Sequence, residues 1–160
     1  MTSNFRIAGL TIILAFMLSL MHLPEWATDF RPDWVALVFI YWAMALPDKV
    51  GVTMAWCTGL MLDISHGAIL GQHAIGLVII IYIIHMQHQK LRVCSLLQQA
   101  IIILLLLLFN QTLVLWVYGI VGNTPETALY FMPSLVGAIL WPWIYIILRD
   151  LRRKFIYRSM

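Results

Sequence analysis

The fold of this chain is decided by the segment LLQQAIIILLLLLFNQTLVLWVYGIV, residues 96–121. The segment contains no Asp, Glu, Lys or Arg. A helix that spans a bilayer needs about 20 predominantly apolar residues. Residues 96–121 are therefore predicted to form a transmembrane helix.

The rest of the chain has the same apolar character. Of its 160 residues, 62% are hydrophobic and 11% are charged, and the mean hydropathy is +0.91. This apolar share is well above that of an average soluble domain. We therefore expect an integral membrane protein that folds as one compact domain.

Six apolar segments follow one another along the sequence. They cover residues 7–23, 34–46, 50–62, 68–86, 96–121 and 133–148, and a basic tail occupies 149–160. The second and third segments are short for spans of about 20 residues. We interpret all six as spans of an all-α, six-helix transmembrane bundle. The alternative is four spans and a re-entrant pair.

The distribution of positive charge favours six spans with both termini in the cytoplasm. In that arrangement Arg31 is the one basic residue outside, and the other nine of the ten lie inside: Arg6, Lys49, Lys90, Arg92, Arg149, Arg152, Arg153, Lys154 and Arg158. Basic residues bias loops to the cytoplasm. The tail residues Arg149, Arg152, Arg153 and Lys154 are predicted either to attract anionic lipid or to anchor the last span. Nucleic-acid binding is not expected.

The segment TGLMLDISHGAILG, residues 58–71, contains the most membrane-embedded acid, Asp63. On one continuous helix, Gly59, Asp63, Gly67 and Gly71 would share a face. Asp63 is predicted either to act in proton coupling, ligand binding or a partner contact, or to cap the next helix. We expect a packing and turn element that shapes an outer groove or cavity for a partner.

Three further polar or helix-bending features are candidates for helix contacts. Asn110 and Gln111 lie midway through the fifth segment and are predicted to hydrogen-bond across helices, within the bundle or to a partner's helix. Pro142 should bend the last span. Arg31 is predicted to pair with Asp63, or with Asp29 or Asp33, and the sequence does not choose among them.

Patterns for catalysis and metal binding are missing from the sequence. His85 and His88 have no further ligands at zinc-site spacing. No HExxH or GxSxG motif is present, and no second embedded carboxylate could pair with Asp63. Cys57 and Cys94 are expected to be free thiols. We therefore predict a protein that is not an enzyme and has no metal or cofactor.

Three stretches in this order and spacing resemble the rod shape-determining protein MreD family. They are FRPDWVALVFIYWAMALP at 30–47, GLMLDISHGAILG at 59–71 and GAILWPWIYIILR at 137–149. The resemblance covers nearly the whole chain and is close to enterobacterial-type members. The predicted partner or packing interface comprises Arg31, Pro32, Trp34, Gly59, Asp63, Gly67, Gly71, Asn110, Gln111, Trp141, Pro142 and Trp143.

The resemblance implies a non-enzymatic inner-membrane component of the bacterial cell-elongation machinery. Such a component would bind MreC and link MreB filaments, indirectly, to lateral peptidoglycan synthesis by a SEDS glycosyltransferase and a class B penicillin-binding transpeptidase. The resemblance also implies a fold related to the substrate-binding subunits of energy-coupling-factor (ECF) transporters. A small-molecule-binding or transport subunit is therefore one alternative, and an intramembrane enzyme that uses Asp63 is another.

Overall fold

A computed structural model describes residues 2–21, 24, 30–122 and 128–157 of the chain. Within these ranges the chain is all-helical, as predicted, and has six α-helices and one 3-10 turn. The helices are α1 (Thr2–Leu20), α2 (Trp34–Ala45), α3 (Val52–His66), α4 (Gln72–Val93), α5 (Leu96–Val121) and α6 (Met132–Tyr157), and the 3-10 turn (Ala128–Phe131) leads into α6.

Three stretches are long and apolar enough to cross a membrane. They are Gln72–Val93, Leu96–Ile120 and Leu129–Lys154, and the apolar helices Phe5–Leu20 and Trp34–Ala45 are shorter. Length and composition therefore indicate a membrane protein. The number of helices that cross the bilayer stays a prediction.

Helix α2 forms the centre of the bundle. It packs against α1, α4 and α6, and every residue from Val35 to Met44 is buried. A helix that is hydrophobic all round is typical of such a buried position. Its 12 residues extend only about 18 Å at 1.5 Å per residue. Because α2 is surrounded by protein, it need not match the thickness of the hydrocarbon core.

The boundary between α3 and α4 differs from the sequence prediction. Helix α3 ends at His66 and α4 begins at Gln72, so the predicted fourth segment starts four residues too early. Gly67 and Gly71 have positive φ values of 62° and 101°, which glycine adopts at little cost. The two glycines therefore lie in a turn between α3 and α4, in keeping with the turn element expected there, and not on one continuous helical face.

The end of α6 also differs from the prediction of a separate basic tail. Helix α6 is continuous through Pro142 and runs to Tyr157. Residues 149–154 thus extend the last helix, and Arg158 lies outside the described residues. The bend predicted at Pro142 stays a prediction.

The helix ends gather at two opposite ends of the bundle. At one end, here called the cavity end, a common cavity is lined by residues at or next to one terminus of each of the six helices: Ser19, Arg31, His66, His73, Tyr118 and Pro133. At the other, the arginine end, Met44 and Ala45 at the end of α2 meet Arg92 of α4 and Arg152 of α6. Successive helices therefore alternate in direction.

Candidate functional site

Asp63 connects the end of α3 to the start of α4. Its side chain is fully buried, and its two carboxylate oxygens accept hydrogen bonds from the backbone N–H groups of Gly71 and His73, each at 2.8 Å. The first N–H groups of a helix have no partner within the helix, and Gly71 provides no side-chain cap. Asp63 thus caps α4 from the neighbouring helix, which is one of the roles that the sequence left open.

His73 forms a side-chain pair with the same carboxylate. Its Nδ1 lies 2.8 Å from Asp63 Oδ1, so the tautomer that donates this bond carries its proton on Nδ1. The ring of His66 lies beside it, with ring centroids 5.7 Å apart. The sequence analysis missed His73. The available signal was its position in the first turn of the helix that Asp63 caps.

The cavity at this end has a volume of about 240 Å³, well above the ~10–15 Å³ that one water needs. Its lining includes ten residues with polar side chains, Ser19, Arg31, Asp33, His66, His73, Asn110, Gln111, Tyr118, Tyr130 and Ser134, together with Pro32, Leu62, Leu107, Val114 and Pro133. Such a cavity can hold ordered water, a small polar molecule or a polar side chain of a partner.

Arg31 forms no ion pair with Asp63 or Asp33, two of the three partners that the sequence left open. Its Nη2 donates to the carbonyl of Leu18 at 3.0 Å, which ties the end of α1 to the start of α2. Burial lowers the pKa of Arg31, and the nearby Asp33 carboxylate opposes that shift. Among the described carboxylates none forms an ion pair with Arg31, and Asp29 lies outside the described residues. Asp33 instead caps α2 by accepting from Ala36 N–H at 3.0 Å.

Gln111 makes the hydrogen bonds across helices that were predicted for it. Its Nε2 donates to the carbonyl of Tyr130 at 3.0 Å, and the Tyr130 hydroxyl donates to the carbonyl of Gln111 at 3.1 Å. The hydroxyl of Ser134 donates to Gln111 Oε1. These bonds hold α5 against the start of α6, so Gln111 has a packing role within the bundle.

Asn110 differs from its neighbour. Its Oδ1 is buried and has no hydrogen-bond partner in the described part of the chain, so the bond predicted for Asn110 is not seen at this atom. The same Oδ1 lies 1.7 Å from the place where a Cβ of Gly76 would be. Asn110 therefore packs against the backbone of α4 at a position that only glycine leaves open.

Gly59 allows α3 and α4 to approach each other closely. A Cβ at this residue would lie 2.3 Å from Ala74 Cα, so the two backbones are in contact here. Of the four residues at spacing four, Gly59 packs two helices together, Asp63 caps α4, and Gly67 and Gly71 shape the turn.

The motif Trp141-Pro142-Trp143 is divided between the inside and the outside of the bundle. Trp141 is fully buried, whereas Trp143 is 71% exposed. The indole of Trp141 donates to Gln99 Oε1 at 3.2 Å, and Gln99 Nε2 donates to the carbonyl of Leu91 at 2.9 Å. Gln99, which the sequence analysis missed, thus connects α6 to the junction of α4 and α5.

Pro32 and Trp34 belong to the segment that leads into α2. Pro32 is buried and Trp34 is half-buried, and Pro32 lines the cavity. In the ranges that the structure describes, no group of three or more His, Cys, Asp or Glu side chains could hold a metal ion. Cys57 and Cys94 are free thiols.

Comparisons with known proteins identify the family. A family model described as rod shape-determining protein MreD matches residues 1–151. The chain is similar to the rod shape-determining protein MreD of Haemophilus influenzae (strain ATCC 51907 / DSM 11121 / KW20 / Rd), with 31% identity over 162 residues that cover 96% of this chain and 98% of the relative. No solved structure gives a significant match. The chain belongs to the rod shape-determining protein MreD family.

Proposed function

We propose that this protein is a non-enzymatic inner-membrane scaffold of the bacterial cell-elongation machinery. It binds MreC and links MreB filaments, indirectly, to a SEDS glycosyltransferase and a class B penicillin-binding transpeptidase. The observation that carries this proposal is the match to the family of shape-determining proteins over residues 1–151. The connections from α2 to α3, from α3 to α4 and from α4 to α5 are short turns. They provide no room for a separate domain, which supports the proposal.

The cavity end is the proposed contact for MreC. It brings together a guanidinium, two imidazoles and several hydroxyl and amide groups at one end of the bundle. Polar groups that line a cavity between helices can hydrogen-bond a partner's backbone or side chains. The turn at Gly67 and Gly71 and the Asp63 cap hold this surface in place.

Co-purification of MreC with the tagged, full-length chain tests the proposal. His66→Ala removes a cavity side chain whose hydrogen bond, to the carbonyl of Leu62 at 3.0 Å, is local to α3. Gly67→Leu forces a leucine into a positive φ, which costs roughly 1–2 kcal/mol for an L-residue. Less MreC should co-purify with either variant, although each variant still inserts into the membrane and is monodisperse after purification.

Gly9→Leu is the control, because a Cβ at Gly9 meets nothing within 4 Å. Full recovery of MreC with His66→Ala and Gly67→Leu, together with normal rod shape, would contradict the proposal.

A small-molecule-binding subunit is the second candidate, and the cavity of about 240 Å³, with several polar side chains in its lining, favours it. Native mass spectrometry of the purified chain distinguishes the two functions. A bound small molecule that is lost in the His66→Ala variant would support this second function. The scaffold function predicts that the variant recovers less MreC and that no small molecule is bound to the purified chain.

The third alternative, an enzyme with Asp63 as an acid, gains no support, because both carboxylate oxygens accept hydrogen bonds from the start of α4.

A further inference from the structure

A second cavity lies at the arginine end, and no role has yet been given to it. It has a volume of about 240 Å³ and is lined by Tyr41, Met44, Ala45, Arg92, Tyr145 and Arg152. We call it the arginine pocket. It lies between α2, α4 and α6, far along the bundle from Asp63 and His73.

Among the described residues, no acidic side chain forms an ion pair with either arginine of the arginine pocket. Arg92 Nε donates to the carbonyl of Met44 at 2.7 Å, and its Nη2 donates to the carbonyl of Ala45 at 3.1 Å. These bonds cap the end of α2 and leave Nη1 without a partner among the described residues. Arg152 Nε is buried and likewise without a partner there. The nearby Asp150 pairs with Arg149 at 3.4 Å, and within the described ranges no carboxylate pairs with Arg92 or Arg152.

Tyr41 provides a second, independent observation that points to a ligand at this pocket. The residue is only 2% exposed, and its hydroxyl is buried without a hydrogen-bond partner in the described part of the chain. Edge contacts fix its ring, with centroids 5.3 Å from Trp42 and 5.5 Å from Tyr145. A buried hydroxyl without a partner is costly, and a ligand oxygen in the pocket would remove that cost.

The group that fits this chemistry is a phosphate. Guanidinium groups match phosphate oxygens in geometry and charge, and tyrosine hydroxyls can donate to the oxygens that remain. The residues that follow Tyr145, Ile146 and Ile147, are exposed and apolar, and they offer a surface for acyl chains beside the pocket. Basic pockets between membrane helices are typical sites for anionic lipid headgroups.

We propose that the arginine pocket binds a phosphate group, that of an anionic lipid headgroup, through Arg92, Arg152 and the hydroxyl of Tyr41. This inference does not depend on the proposed binding of MreC. It also separates Arg152 from the other basic residues at the end of α6, because Arg152 is half-buried in the pocket whereas Arg153 and Lys154 are exposed.

Native mass spectrometry of the full-length protein in detergent tests the proposal. The chain is titrated with dioleoyl phosphatidylglycerol, with dioleoylglycerol, which lacks the phosphate, and with inorganic phosphate as a competitor. Arg152→Gln should weaken phosphatidylglycerol binding about tenfold, since bonds to charged groups are the strong ones. Tyr41→Phe should weaken it by about threefold. Arg153→Gln is the matched control, with the same charge change on the adjacent residue, and should have less than about a twofold effect.

The outcomes separate the sources of the phosphate. Binding of phosphatidylglycerol but not dioleoylglycerol, without displacement by millimolar inorganic phosphate, supports the lipid headgroup. Displacement by inorganic phosphate supports the phosphate site but overturns the lipid as its occupant. Equal losses for Arg152→Gln and Arg153→Gln, or equal binding of both lipids, overturn the site itself.

Tyr41→Phe also controls for folding. The substitution breaks no hydrogen bond among the described residues, so thermal unfolding without lipid should be unchanged or shifted upward. Only the upward shift that phosphatidylglycerol causes should shrink. A variant that unfolds at a lower temperature without lipid, but keeps the full lipid-induced shift, would contradict the proposed role of the hydroxyl.

Discussion

Asp63 is a fully buried carboxylate without a Lys or Arg partner among the described residues. Burying an isolated charge is costly, and here three donors offset the cost: two backbone N–H groups and the imidazole of His73. The start of a helix also attracts negative charge through its dipole. A capping role for Asp63 could be predicted from the sequence. Its pairing with His73 could not be predicted, because that contact depends on the path of the turn between α3 and α4.

Replacing Asp63 should therefore destabilise the protein. In Asp63→Ala the buried N–H of Gly71 and the partly buried N–H of His73 lose their acceptor, and we expect a loss of about 2–4 kcal/mol in the free energy of unfolding. Asp63→Asn keeps one acceptor oxygen and should lose less. Asp150→Ala, at a side chain that is 54% exposed, is the control and should stay within about 0.5 kcal/mol. Thermal unfolding in detergent, monitored by tryptophan fluorescence, ranks the wild-type protein and the three variants by stability. If Asp63→Ala unfolds at the wild-type temperature, the cap does not stabilise α4.

Among the elements, α5 and α2 show what an apolar pattern can predict. Helix α5 has a long uncharged sequence, which alone predicts a spanning helix. Helix α2 has only 12 residues, and length by itself does not distinguish a short span from a re-entrant arm. Its central position follows from burial on all sides by α1, α4 and α6, which depends on the packing of distant parts of the chain.

The contact between α3 and α4 leads to a prediction at the level of the element. Gly59→Ala would place a methyl group 2.3 Å from Ala74 Cα, so one of the two backbones must move. We expect a loss of about 1–3 kcal/mol, typical of overpacking. Gly119→Ala, where a Cβ meets nothing within 4 Å, is the matched control and should be neutral or stabilising.

Differential scanning fluorimetry of the two purified variants in the same detergent compares them directly. A Gly59→Ala protein that is as stable as Gly119→Ala would show that α3 and α4 do not approach as closely as described. The sequence indicated a packing role for Gly59, but it could not tell Gly59 from Gly67, because the helix end at His66 separates their roles.

At the scale of the whole molecule, the structure separates two chemically different ends. The cavity end holds Arg31, Asp63 and His73, and the arginine end holds Arg92 and Arg152 together with most of the other basic residues. The charge asymmetry was visible in the sequence, and from it we predicted the sides of the membrane. An outer groove or cavity beside Asp63 was expected from the sequence, but its full lining and the arginine pocket were not, because each pocket is assembled from residues on at least three helices.

We predict that the six helices cross the membrane in alternating directions, with the arginine end in the cytoplasm. Labelling of single cysteines with a membrane-impermeant maleimide tests it most directly, in a background that carries Cys57→Ser and Cys94→Ser. Leu70→Cys lies in the turn at the cavity end, whereas Asp48→Cys and Lys154→Cys lie at the arginine end, and all three positions are exposed. In intact spheroplasts Leu70→Cys should be labelled, and the other two should react only after the membrane is permeabilised. Labelling of Lys154→Cys from outside, or equal labelling of Asp48→Cys and Leu70→Cys in intact spheroplasts, would contradict the claim.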